Sequence, residues 1–349
     1  MTVISSPEEG ECVPNRSKNN QIEELASFAG KSVSLGKDFS VRRVLPNAKQ
    51  RSVGPFVFFD HFGPSSIEEH AMNVGPHPHI GLMTISYLYE GAILHRDSTG
   101  AEQMVPPGEV NGMISGNGVT HSERGELKDI KPHLDKLNRQ LPLRSHGLQL
   151  WMALSKEGED VDPSFHHAPS VPVNENASLV VGKTKTHHQT NIPIDPHLGK
   201  VVFLDIQFFG QRETFEFSFV GGLSDVEDIV KDPSIELGVY VSTGKIALQS
   251  GWGSVDGRTV ESGNMTVVKI PNNECFRGSL QSLTPDTRVA VLGGTALPEK
   301  RYMFWNFVAT SRDKVEQAAQ AWDRLDRAIF PEVVNEDNKD SIPLPKRKN

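Results

Sequence analysis

Thirteen histidines lie in this chain, all between His61 and His197. Two of them, in Gly75-Pro76-His77-Pro78-His79, are spaced so that both imidazoles point to one face of an extended strand. Thr120-His121-Ser122-Glu123 repeats that spacing with an imidazole and a carboxylate. Two such strands lying side by side would bring three neutral nitrogens and one hard oxygen to a point. That donor set suits a divalent first-row metal such as iron, manganese, nickel, copper or zinc. It leaves room at the metal for water, dioxygen or substrate. A single His-x-His is weak evidence, because histidines also serve as hydrogen-bonded core residues; two matched pairs are more specific.

The elements needed to position these residues are strands. From residue 32 onward, short apolar stretches alternate with Gly, Pro and Asp, including 55–59, 83–89, 91–94, 110–114 and 148–154. A second series runs from 179 through 201–209, 214–219, 238–241, 245–248, 265–270 and 289–292; in it Phe215, Phe217 and Phe219 alternate with polar residues. The polar segment 156–176 separates the two series. After Thr310 and Asp313, which can cap a helix, Val315, Ala319, Trp322 and Leu325 recur at helical spacing. The expected organisation is a flexible arm over 1–31, a metal-binding domain over 32–165, a second domain with a terminal helix over 166–330, and a charged, solvated tail over 331–349.

Composition narrows the function. At 349 residues the chain exceeds one ordinary core. Two cysteines, Cys12 and Cys275, cannot build a disulfide framework or a four-cysteine zinc site. The formal charge of -8 opposes generic attraction to nucleic acid or anionic lipid. No apolar run approaches the roughly 20 residues needed to span a bilayer, and the start does not read as a secretory signal. A cytoplasmic protein without direct nucleic-acid or membrane binding is expected. Gly116-Asn117-Gly118 lacks the third glycine and the strand-turn-helix setting of a dinucleotide site, and no Gly-x-Ser-x-Gly elbow or Walker loop occurs.

Other histidines have two readings. His61, in Phe59-Asp60-His61-Phe62, could orient a metal ligand from behind, or be a turn histidine held by Asp60. His95 reads as a strand-end residue beside charges, not as a ligand. The doublets His166-His167 and His187-His188 place adjacent side chains on diverging directions, which fits solvated loops better than chelation. Phe56, Phe58 and Phe59 read as core, with an aromatic substrate pocket as the alternative.

The segments carrying the paired donors closely resemble the pirin family, a branch of the cupin superfamily. The likeness covers about 32–322. It is strongest in VGPFVFFDHFGP (53–64), GPHPHIGLMTISYLYEGAILHRDSTG (75–100) and PGEVNGMISGNGVTHSER (107–124), with weaker support from GLQLWMALSKE and VLGGTALPE. The resemblance implies an all-β bicupin, two tandem cupin barrels (double-stranded β-helices) with a C-terminal helix. It assigns one metal, typically Fe(2+), to His77, His79, His121 and Glu123 in the first barrel. The lack of histidine after His197 agrees with a second barrel free of ligands. In one departure, Met83 stands where typical members have a glutamate shortly after the second histidine, which implies a more apolar pocket beside the metal.

Family membership implies two activities. One is the quercetin 2,3-dioxygenase reaction, the opening of a flavonol with dioxygen and loss of carbon monoxide; Glu123 could accept the proton of the flavonol 3-hydroxyl as general base. The other is an iron-dependent, redox-responsive regulatory role in which the chain binds a transcription regulator. A purely structural metal is the third reading, since fold does not fix function.

Overall fold

The computed structural model describes residues 22–35, 39–136, 144–183, 188–220, 234–271 and 275–346. Cys12 and His187 lie outside them. The chain opens with β1 (Glu23–Ala29) and continues through β2 (Lys31–Ser34), β3 (Ser40–Leu45), β4 (Phe56–Ser66), the short α1 (Ile67–His70), β5 (Asn73–His79), β6 (Leu82–Glu90), β7 (Ile93–Asp97), β8 (Glu102–Val105), β9 (Glu109–Ile114), β10 (Val119–Arg124), α2 (Leu127–Lys136), β11 (Arg144–Ala153) and β12 (Ser164–Pro169). A second series follows with β13 (Val171–Asn174), β14 (Ala177–Gly182), β15 (Val201–Phe208), β16 (Thr214–Val220), β17 (Ile235–Thr243), β18 (Lys245–Ser250), β19 (Thr259–Glu261), β20 (Asn264–Ile270), β21 (Cys275–Ser282) and β22 (Thr287–Thr295). The hairpin β23 (Tyr302–Phe304) and β24 (Phe307–Ala309) leads into α3 (Arg312–Asp323).

Each series makes a seven-stranded and a four-stranded sheet. The first unit has the orders β12-β9-β6-β11-β4-β3-β2 and β5-β10-β7-β8; the second has β1-β20-β17-β22-β15-β14-β13 and β16-β21-β18-β19. The fold is therefore all-β in two units, as expected, but its ends are exchanged. The stretch 22–29 is not a loose arm. Ile22 is buried and β1 pairs antiparallel with β20, adding an edge strand to the second unit. Strand β12 spans the expected boundary at 165/166 and pairs with β9 of the first unit. Helix α3 and its hairpin pack on the first unit, where Ile80, Phe307, Ala309, Val315 and Trp322 share one apolar cluster. The cap of α3 is Ser311, whose side chain accepts from the Lys314 amide. Thr310 instead donates from its backbone amide and hydroxyl to Glu159, at 2.8 Å each.

Strand alternation explains where the two cores sit. In β6 the residues Met83, Ile85, Tyr87 and Tyr89 point one way; in β11 Leu148, Leu150 and Met152 do the same. They pack against Phe203, Tyr240, Ala290 and Leu292 from the second unit, so the two seven-stranded sheets meet back to back. The opposite faces line the interiors. In the second unit that interior is apolar throughout its cluster, filled by Leu237, Val239, Val241, Val289, Val291, Trp252 and Phe276. In the first unit it contains His77, His79, His95 and His121.

The described residues 331–346 are not a wholly free tail. Phe330 and Val333 are buried, and Glu336 is paired to Arg124. Glu336 docks on the first unit, while the other charged side chains of 331–346 stay largely exposed.

Candidate metal centre

Strands β5 and β10 pair antiparallel with His121 opposite His77 and Val119 opposite His79, and the register shifts between His121 and Glu123. That pairing brings three imidazoles together: ring centroids are 4.3 Å apart for His77 and His121, 4.9 Å for His79 and His121, and 5.1 Å for His77 and His79. One nitrogen from each lies within 4.8 Å of the others. The rings are dry, with residue exposures of 6%, 0% and 1% for His77, His79 and His121.

Burial, reinforced by the neighbouring rings, holds all three in the neutral form that can ligate a metal. His77 is pushed down to about 4, and His79 and His121 well below the ordinary histidine value. The nitrogens at the centre of the cluster find little among the described residues to compensate that burial. Among the described residues, both ring nitrogens of His79 and Nε2 of His121 are buried without a hydrogen-bond partner; the backbone of Asn306 favours the protonated His79 ring but does not offset its burial. Such orphaned nitrogens are costly unless something accepts their lone pairs. The donor set therefore fits a divalent transition metal.

The outer bonds decide which nitrogens face inward. His77 Nδ1 is 2.8 Å from the carbonyl oxygen of Gly75, which must accept, so Nδ1 carries the proton and Nε2 is bare. His121 is set by a longer chain. Asp97 Oδ1 is held in its turn by the amide and hydroxyl of Thr99 and the amide of Ala101, while Oδ2 lies 2.9 Å from His95 Nε2. Burial pushes the Asp97 carboxyl up, but these hydrogen bonds outweigh it and hold the group below the usual carboxylate range. An ionised Asp97 takes the proton on His95 Nε2. In a neutral His95 ring, Nδ1 then faces His121 Nδ1 at 3.4 Å as an acceptor, which leaves His121 Nε2 unprotonated.

Glu123 stands apart from the three nitrogens and is not part of their 4.8 Å group. Its Oε1 lies 3.2 Å from Ser86 Oγ, which is also 2.8 Å from Gln149 Oε1; the single hydroxyl proton serves one of them at a time. Burial pushes the Glu123 carboxyl up, opposed by the His95 ring when that is protonated and by hydrogen bonds from Ser86 and Gln149. Beside the cluster, the Trp151 ring meets His79 edge-on at 5.1 Å and stacks on Phe58 at 3.8 Å. Phe58 thus borders the site, whereas Phe56 and Phe59 belong to the core between the units.

Met83 does not border the metal cluster. It packs among the residues between the units, against Gly112 and Ile192, because it lies on the opposite face of β6 from Ser86. The apolar pocket expected from Met83 is therefore absent there; Thr84 and Ser86, both buried, occupy that interior face.

His61 also lies on the face between the units. Its Nδ1 is 2.8 Å from Tyr240 Oη and its Nε2 is 2.9 Å from His146 Nε2, so neither nitrogen is left to orient a metal histidine. Asp60 does not hold it either, since that carboxylate makes a two-pronged pair with Arg43 at 2.9 and 2.7 Å. His166 and His167 sit on a half-buried strand and not in a loop, and they diverge: His166 turns to Ser164, His167 to Asn111 and Glu109. His95, Asp97, Ser86 and Gln149 were not picked out as site residues by sequence reasoning. His95-Arg96-Asp97 has the same spacing as His77-Pro78-His79, and that signal could have found the first two.

The family model described as pirin matches residues 38–152, and the model for the pirin C-terminal cupin domain matches 228–327. A pirin-like protein of Caulobacter vibrioides is 34% identical over 91% of this chain and 98% of its own length. A solved quercetin 2,3-dioxygenase from Acinetobacter baumannii superposes with a TM-score of 0.73 at 25% identity, covering 95% of this chain and 97% of the other. A second quercetin 2,3-dioxygenase structure from the same organism shares the fold, with a TM-score of 0.65 at 19% identity over 87% of this chain and 97% of that one. The chain belongs to the pirin family and has its two-domain cupin fold.

Proposed function

We propose that this protein is a metal-dependent dioxygenase that opens flavonols such as quercetin, with iron as the resident metal. The observation that carries the reading is the set of bare nitrogens on His79 and His121 converging with His77 in a dry interior. Similarity to a quercetin 2,3-dioxygenase over nearly the whole chain supports the substrate class. His77, His79 and His121 would hold the metal, and Glu123 is the fourth donor or the base. A bound metal supplies Lewis acidity toward a substrate oxygen and an electron route to dioxygen.

The protein's own residues supply the rest. Glu123, raised by burial, is suited to take the proton from the flavonol 3-hydroxyl and to hold it. Ser86 and Gln149 fix the direction in which that carboxylate presents its oxygens. Trp151, edge-on to His79, and Phe58, stacked on Trp151, give the site an apolar wall. The test is oxygen uptake by protein loaded anaerobically with iron, on addition of quercetin, with His121→Ala as the matched control. Uptake in the parent alone is expected. No uptake by parent protein at full iron occupancy overturns quercetin as substrate.

A further inference from the structure

The four-stranded sheet of the first unit has two faces. Inward, it presents His77 from β5, His121 and Glu123 from β10, and His95 and Asp97 from β7, which are neighbouring strands in the order β5-β10-β7. Outward, the intervening residues of all three strands meet one segment of chain. Glu336, whose side chain is 8% exposed, accepts from Ser122 Oγ at 2.7 Å, Arg124 Nε at 3.3 Å and Arg96 Nη1 at 3.4 Å. Asp340 accepts from Arg124 Nη2 at 2.8 Å. The Ile342 amide donates to the carbonyl of Pro76 at 2.8 Å, and Trp322 Nε1 donates to the carbonyl of Ile342 at 3.0 Å. The fit is close enough to need glycines. A Cβ on Gly75 would stand 2.5 Å from the Asp340 carbonyl oxygen, and one on Gly118 would stand 2.6 Å from that of Ile329.

We propose that residues 329–342 are a strap that grips the three metal-site strands from behind, and that its undocking sets the rate at which the metal exchanges. Five of the six inward groups have a neighbour one residue away that is tied outward, Pro76 before His77, Ser122 between His121 and Glu123, and Arg96 between His95 and Asp97, while His79 is followed by Ile80, whose carbonyl accepts from Val308 instead. In a strand, a residue fixed on one face fixes the direction of its neighbour on the other. The strap is anchored by buried Phe330 and Val333 at one end and by the Ile342 bonds at the other. Between them, a nearly buried carboxylate serving two arginines is a strong, charge-assisted link. Supports behind metal ligands govern how tightly the ion is held. Lifting this one releases all three strands together.

The proposal rests on the three-histidine site as the place where metal binds, so metal binding is measured first, with zinc, which has no redox chemistry. Zinc bound by the parent and lost in His121→Ala belongs to the site and is read separately from the strap. The strap is then tested in the full chain by Glu336→Gln, which removes the charge, and Glu336→Lys, which reverses it. Release of zinc to excess chelator is followed together with hydrogen exchange at the Ile342 amide, the reporter of docking. Asp205→Asn, in the contact between the two units, is the control for general loosening. The expected result is faster exchange at Ile342 with zinc release accelerated about tenfold or more, largest for the lysine variant and absent in Asp205→Asn. Three outcomes overturn the proposal: unchanged release with Ile342 deprotected, unchanged Ile342 protection in Glu336→Lys, or equal acceleration in Asp205→Asn.

Discussion

His95 Nδ1 faces His121 Nδ1 at 3.4 Å, and His95 is in turn bonded through Nε2 to Asp97 at 2.9 Å. Two like nitrogens can share one proton only if one ring donates and the other accepts. For a neutral His95 ring the ionised carboxylate decides which, by keeping the proton on Nε2. A residue two positions removed along β7 thereby determines which nitrogen of His121 is offered to a metal.

Asp97→Asn should break this chain of bonds while keeping its shape. The asparagine amide can donate to His95 Nε2 and reverse the tautomer, placing a proton where His121 needs an acceptor. Metal affinity is expected to fall about 10–100-fold, with the fold intact by circular dichroism. Competition with a chromophoric chelator measures the change, and unaltered affinity would remove Asp97 from the site.

Loading the site should stabilise the protein. The bare nitrogens of His79 and His121 are uncompensated in the metal-free chain, and a ligand that binds only the folded state adds about 2.7 kcal/mol at a concentration 100 times its dissociation constant. Melting curves with and without metal should therefore separate, and a chelator should reverse the shift. Replacing His77, His79 or His121 singly with alanine should abolish the separation and lower metal content in elemental analysis. Full metal retention in all three variants would reject the site.

Sequence reading found the two strands of the site because its donors repeat at a local spacing of two, the period of a strand. It went astray where facing depended on something other than local spacing. Whether Met83 or Ser86 points at the metal, and whether His61 faces the metal or Tyr240, is decided by which face of a seven-stranded sheet is sandwiched inside its own unit and which lies against the other. Both faces are buried, so polarity does not mark them. The pairing of β1 with β20 and the docking of Glu336 on Arg124 join residues more than 200 positions apart, and no local pattern reports such contacts.

The contact between the units carries an acid-sensitive pair. Burial holds His61 down at about 3, helped by His146 and Arg42, and holds His146 at about 4, helped by Arg288 and Arg144. Glu90 is 3.7 Å from His146 Nδ1, too far to offset the burial. A histidine whose folded value is depressed contributes stability that is fully present above its unfolded value near 6.5 and lost as pH falls toward the folded value. Each ring should therefore steepen the loss by about 1.4 kcal/mol per pH unit between 6.5 and 4. In metal-free protein, urea titrations across that range should give a shallower decline for His61→Gln than for the parent; parallel curves would contradict the assignment.

Asp205 anchors a second polar link across the same contact. It accepts from Arg288 Nε at 2.9 Å and Nη2 at 2.6 Å, and from Tyr87 Oη at 2.9 Å, joining β15 and β22 of the second unit to β6 of the first. Arg288 also lies 3.6 Å above the Tyr89 ring. Removing the carboxylate with Asp205→Ala leaves a nearly buried guanidinium without its counter-charge, which costs about 3–5 kcal/mol. Chemical denaturation should register that loss. Asp205→Asn, which keeps the shape and one acceptor, should lose less.

Glu123 offers the sharpest separation of binding from chemistry. Its carboxyl is fully enclosed, raised by burial, and positioned by Ser86 and Gln149 instead of by the histidines. Glu123→Gln keeps the volume and an oxygen but removes the ability to accept a proton. If the residue is the base, turnover of a flavonol should fall about 10²–10⁴-fold while the three histidines retain much of the metal. If it serves only as a fourth donor, metal content should fall and activity per bound metal should stay constant. Measuring kcat and metal stoichiometry on the same preparation distinguishes the two, because only loss of the base lowers turnover at equal occupancy. Equal turnover and equal occupancy would exclude Glu123 from both roles and leave the proton to a group outside β10.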